Sequence, residues 1–65
     1  MAEDTQMVRI REGGRELVVR VFMEAPSFEG LDVQSLAQEA WQRPGRMLRK
    51  GDLTIVVARH KKGAR

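Results

Sequence analysis

The side chains able to do chemistry are few and scattered. The single histidine, His60, stands beside a run of cations with no second His, no Cys and no acidic cluster near it in sequence. Metal sites generally need three or four ligands, so His60 reads as a solvated terminal side chain. The hydroxyls of Thr5, Ser27, Ser35 and Thr54 have no base beside them in sequence. Ser27 falls in a connection and Ser35 in the first turn of a helix, where hydroxyls usually satisfy backbone groups. Glu12 with Glu16, or Glu24 with Glu29, could be imagined as acid–base couples, but hairpin ion pairing and solvent exposure account for them. Gly13-Gly14 lacks the spacing and the strand-to-helix context of a phosphate-cradling loop. This inventory predicts no enzyme, no metal, no cofactor and no small-molecule ligand.

The basic C-terminal third is the stronger lead. Residues 1–42 hold four Arg against eight acidic residues, a net charge of −4, whereas residues 43–65 hold eight Lys or Arg against Asp52 alone, a net +7. Nine of the twelve cations are Arg, whose planar fork suits phosphate. Arg43, Arg46, Arg49, Lys50, Arg59, Lys61 and Lys62 lie on one short segment and its flanks. Folding that gathers them at one edge or end of a sheet would make a phosphate-binding surface for DNA or RNA, driven by counterion release. The run Arg43-Pro44-Gly45-Arg46 holds the residue types of a minor-groove AT-hook core in the wrong order. Proline splits the first Arg from the Gly, and a helix stop explains the segment sufficiently.

Composition narrows the setting. Sixty-five residues allow one small domain, 1–65, and at 42% hydrophobic and 32% charged the chain reads as folded. The absence of Cys removes any disulfide framework, thiolate metal site or thiol nucleophile and favours a reducing compartment. The opening residues are polar and acidic rather than signal-like. The longest apolar run, Ile55-Val56-Val57-Ala58, is far below the roughly 20 residues that span a bilayer. A cytoplasmic protein without membrane contact is expected.

These side chains need elements to position them. Residues 6–23 read as a hairpin about Gly13-Gly14, a two-residue turn in which both positions tolerate positive φ. Partners then sum to 27, so Val8 faces Val19 and Ile10 faces Leu17 on one side. Met7 meets Arg20, Arg9 meets Val18 and Arg11 meets Glu16 on the other, and a slip of one residue would put the apolar set on the wrong face. Residues 25–30 form a turn-rich connection. Asp32 caps a helix, Leu31 and Leu36 form a staple, and Val33, Leu36, Ala37, Ala40 and Trp41 make one apolar stripe. Pro44-Gly45 stops that helix by about Arg43. Residues 46–59 read as a second hairpin. A type II′ turn at Gly51-Asp52 pairs Leu48 with Ile55 and Met47 with Val56, while a three-residue turn from Lys50 would shift the pairing.

The order β-β-α-β-β predicts an α+β fold, a mainly antiparallel four-stranded sheet with one helix on one face. The expected core is Val8, Ile10, Leu17, Val19, Val21, Met23, Leu31, Val33, Leu36, Ala37, Ala40, Trp41, Leu48, Leu53, Ile55 and Val57, with residues 1–5 and 60–65 as flexible tails. One helix cannot cover both faces. The other face would show Met7, Arg9, Arg11, Val18, Arg20, Phe22, Val56 and Ala58, a mixture of Arg with apolar side chains. Two functions of different class follow. One is nucleic-acid binding of little sequence specificity through the basic hairpin and tail, with Arg9, Arg11 and Arg20 as secondary contacts. The other is protein interaction or homodimer formation over Met7, Arg9, Val18, Arg20, Phe22 and Val56, where Phe22 is either a dimer contact or a stacking platform.

Overall fold

The computed structural model describes residues 2–60. Strands β1 (Ala2–Glu12) and β2 (Arg15–Ala25) come first, the helix α1 (Val33–Trp41) follows, and β3 (Met47–Lys50) and β4 (Leu53–Arg59) complete the order. All pairings are antiparallel, in the lateral order β1-β2-β4-β3, so the fold is α+β with a single open sheet. The late strand β4 enters beside β2 and leaves β1 and β3 as the two edges.

Both hairpin registers follow from turn chemistry. Gly13 and Gly14 take φ of 57° and 79°, as a turn with two left-handed positions requires. Val8 consequently pairs with Val19 and Ile10 with Leu17. In the second hairpin Gly51 has φ of 56° while Asp52 keeps the ordinary sign, and Leu48 pairs with Ile55 and Met47 with Val56. The three-residue turn is not used.

β1 reaches further than its composition suggests. Residues 2–5 do not fray, because β2 stays extended to Ala25 and offers backbone partners back to the Ala2–Ala25 pair. A backbone ladder is indifferent to the polar side chains hung on it. At the other end the His60 N–H donates to the Val18 carbonyl at 3.0 Å and prolongs the ladder by one residue. The rest of the expected tail, 61–65, lies outside the described residues.

α1 packs on one face of the sheet through Ala37, Ala40 and Trp41 over Ile10, Leu17, Val19, Val21, Met23, Leu48, Leu53, Ile55 and Val57, all buried. Ala25 is buried as well, and Phe28 packs against the cluster. Both fall in the stretch whose turn residues had marked it as mere connection. Val8, Leu31, Val33 and Leu36, expected in the core, are half-buried at its margin, because a helix of nine residues shields the middle of the sheet better than its rim.

The helix starts where its cap predicts. The Asp32 carboxylate accepts the Ser35 N–H at 3.2 Å and the Ser35 hydroxyl at 2.9 Å. Those two bonds, the hydroxyl first, hold the Asp32 carboxyl below its ordinary range. The helix ends at Trp41, two residues earlier than expected, and a short 3-10 turn, Pro44–Arg46, leads into β3. Gly45 and Arg46 in that turn have φ of 70° and 53°, so Arg46 belongs to the turn and not to the strand.

Candidate functional site

Of the seven cations predicted to form one basic surface, the five within the described residues occupy different settings. The Arg43 guanidinium donates to Glu39 Oε2 at 2.8 Å, and Lys50 Nζ lies 3.6 Å from Glu39 Oε1. One carboxylate therefore serves two cations. The Arg43 hydrogen bond, helped by the charge of Lys50 against slight desolvation, holds the Glu39 carboxyl below its ordinary 4.5. Arg46 folds back on the helix end. Its guanidinium stands 3.9 Å from the Trp41 ring centroid and donates to the Trp41 carbonyl oxygen. Arg49 and Arg59 carry no carboxylate partner among the described residues. They are not neighbours, since Arg49 pairs with Thr54, and Thr54 to Arg59 is about 17 Å of strand at ~3.3 Å per residue. Lys61 and Lys62 lie outside the described residues. The sheet thus carries its C-terminal cations along the β3 edge and at the far end of β4, as a spaced rim and not as a single cluster.

The two sheet edges are treated differently. On β1, Gln34 Nε2 donates to the Arg9 carbonyl at 2.9 Å, and Gln38 donates to the Arg11 carbonyl at 2.7 Å while accepting its N–H at 2.9 Å. Helix side chains thereby satisfy three open backbone groups of that edge, at Arg9 and Arg11. Trp41 Nε1 donates to Glu12 Oε2 at 3.0 Å at the end of the same seam. The β3 edge, only four residues long, carries Arg49 and Lys50. These glutamine contacts were not foreseen, because the helical pattern identifies a polar face but not what that face meets.

The helix-free face is where alternation placed it. Met7 is 45% exposed, Val18 39%, Phe22 42% and Met47 44%. Arg9, Arg11, Arg20 and Ala58 are exposed with them, and Val56 is half-buried. Met47, not among the residues expected on this face, belongs to it by its pairing with Val56. The paired positions align in rows across the sheet. Thr5, Phe22, Val56 and Met47 make a largely apolar central row. Met7, Arg20 and Ala58 lie on one side of it, and Glu3, Glu24, Thr54 and Arg49 on the other. Phe22 separates two shallow depressions, one bordered by Arg20, Arg59 and His60 and the other by Glu3, Asp4 and Glu24.

No group of three or more His, Cys, Asp or Glu among the described residues could hold a metal ion. No described helix is long and apolar enough to cross a membrane. No protein-family model matches the chain, and neither curated proteins nor solved structures yielded a match. The class is set by the fold alone: a small antiparallel α+β sheet with one face under a helix, one face open and one cationic edge.

Proposed function

We propose that this protein is a non-enzymatic binding module that takes nucleic acid through the cationic β3–β4 hairpin. The observation that carries the reading is the charge of residues 43–60, where five cations meet Asp52 alone and Glu39 must be shared between Arg43 and Lys50. Exposed ion pairs contribute at most about 1 kcal/mol, so phosphates can compete for Arg43 and Lys50. Arg49 and Arg59 are open to phosphate contacts. Arg46 is occupied by Trp41 and is assigned to the turn. The contacts assigned among the described residues are all to phosphate, which carries no sequence information, so a weak sequence preference is expected.

The test is a fluorescence-polarisation titration of a random-sequence duplex, in DNA and RNA form, over a salt series beginning near 50 mM. Log affinity should fall linearly with log salt. The double variant Arg49→Ala with Arg59→Ala should flatten the slope by about 2 units, at ~0.9 per phosphate contact for B-form DNA. Arg46→Ala should leave it unchanged. No binding of either duplex at the lowest salt would refute the reading.

A further inference from the structure

The open face carries both signs of charge arranged about an apolar centre. On β2 the outward side chains run Arg20, Phe22, Glu24, with Phe22 midway and each charge about 7 Å from it along the strand. Neither Arg20 nor Glu24 has an ion-pair partner among the described residues. The depressions beside Phe22 repeat the pattern, one bordered by Arg20, Arg59 and His60 and the other by carboxylates. Rotation by 180° about an in-plane line through the central row, perpendicular to the strands, exchanges the two halves. A surface with this property is complementary to itself.

We infer that the helix-free face is the contact between two copies of this chain, related by a two-fold axis lying across the strands through the Phe22 row. Phe22 then rests over Phe22 of the second copy, and Arg20 lies opposite Glu24 of the second copy, twice per dimer. The axis along the strands, the other way to stack the same faces, lays β2 over β4 and β1 over β3. Arg20 then meets Ala58 and Glu24 meets Thr54 of the second copy, and only Glu3 and Arg49 come together, at the sheet edges. That arrangement covers both β2 charges without pairing them, which costs free energy. Nucleic acid is a poorer occupant, because Glu3 and Glu24 repel phosphate from half the surface. The inference is independent of the phosphate contacts proposed for the β3 edge.

Four strands at ~4.8 Å spacing and about seven residues of length give a face of only some 400–450 Å² in projection. That is small beside the ~800 Å² per partner of a standard interface. A reversible dimer with dissociation in the micromolar range is expected.

Sedimentation equilibrium of the full chain over a wide concentration range, without nucleic acid, tests this. The wild type should pass from monomer to dimer, with high salt weakening association. Arg20→Glu and Glu24→Arg should each weaken association by tenfold or more. The combined swap, Arg20→Glu with Glu24→Arg, should restore it, because the two-fold axis again pairs opposite charges. Phe22→Glu should be monomeric. Circular dichroism establishes that each variant is folded, and all three positions are exposed enough to tolerate the change. A wild type that stays monomeric at millimolar concentration overturns the inference. So do single reversals that associate like the wild type, or a folded double swap that stays monomeric.

Discussion

Replacing Arg46 by Ala should destabilise the protein by about 1.5–2 kcal/mol, even though the side chain is exposed. The guanidinium lies 3.9 Å from the Trp41 ring centroid and donates to the carbonyl that ends the helix. An exposed cation–π contact is worth about 0.5–1 kcal/mol, and a hydrogen bond from a charged donor to a helix-end carbonyl adds about 1 kcal/mol net. Against these stands the φ of 53°, which costs a non-glycine residue about 1 kcal/mol. Alanine loses the contacts and keeps the strain. Glycine loses the contacts and relieves the strain, so Arg46→Gly should recover roughly half of the loss. Urea unfolding followed by the fluorescence of Trp41, the only tryptophan, measures both variants. With a slope near 1 kcal/mol/M for so small a domain, the Arg46→Ala midpoint should fall by about 1.5–2 M. An unchanged midpoint would show that the contact contributes nothing. A glycine variant less stable than the alanine one would refute the account of the strain.

Two further perturbations follow from the contacts around the helix. The folded pKa values of Asp32 and Glu39 are lowered from 3.8 and 4.5. Their contribution to stability is therefore full above the ordinary values and disappears as pH falls through that range toward the lowered ones. Glu39→Gln should flatten the acid limb of a thermal-stability profile below about pH 4.5, and an identical limb in the variant would exclude Glu39 as its source. Gln38→Ala removes both hydrogen bonds to the β1 edge at Arg11. At about 1 kcal/mol for each, the Arg11 amide should exchange with solvent at least several-fold faster than in the wild type, whereas unaltered exchange would mean that solvent already reaches that edge.

What the sequence makes legible is what short-range chemistry controls. Gly13-Gly14 dictates the first register because a two-residue hairpin turn needs positive φ, which glycine supplies at both positions, and Asp32 begins the helix because its carboxylate accepts a free first-turn N–H. The pairing of β4 with β2 is not of that kind. It depends on which apolar strand is buried most completely between neighbours, and β4, with Leu53, Ile55 and Val57 all buried, takes a central position beside β2. The cationic surface was legible as composition and not as geometry. Its charges all sit within 23 residues of sequence, yet Arg43 and Lys50 find Glu39, Arg46 turns onto Trp41, and Arg49 and Arg59 end on opposite parts of the sheet. Strand alternation placed the open face well, since it is local, and Met47 joins that face through the same pairing with Val56 that the Gly51-Asp52 turn predicts.

The two proposed surfaces constrain each other through symmetry. A two-fold axis across the strands leaves lateral position unchanged, so β3 of each copy lies over β3 of the other while the strand directions reverse. Both cationic edges then fall on the same side of the sandwich, about 10 Å apart, the usual spacing of packed sheets. The β1 edges, where Gln34 and Gln38 hold the backbone at Arg9 and Arg11, fall together on the opposite side. Arg49 has no strand residue of the second copy opposite it, because the mirrored position on β3 is Gly45 in the turn, and so it stays outside the charge pairing at the interface. An axis along the strands would instead set β3 over β1 and leave one cationic edge on each side. The arrangement that matches Arg20 to Glu24 is therefore the same one that doubles the positive rim, and the Arg20–Glu24 pairs themselves use no cation assigned to phosphate.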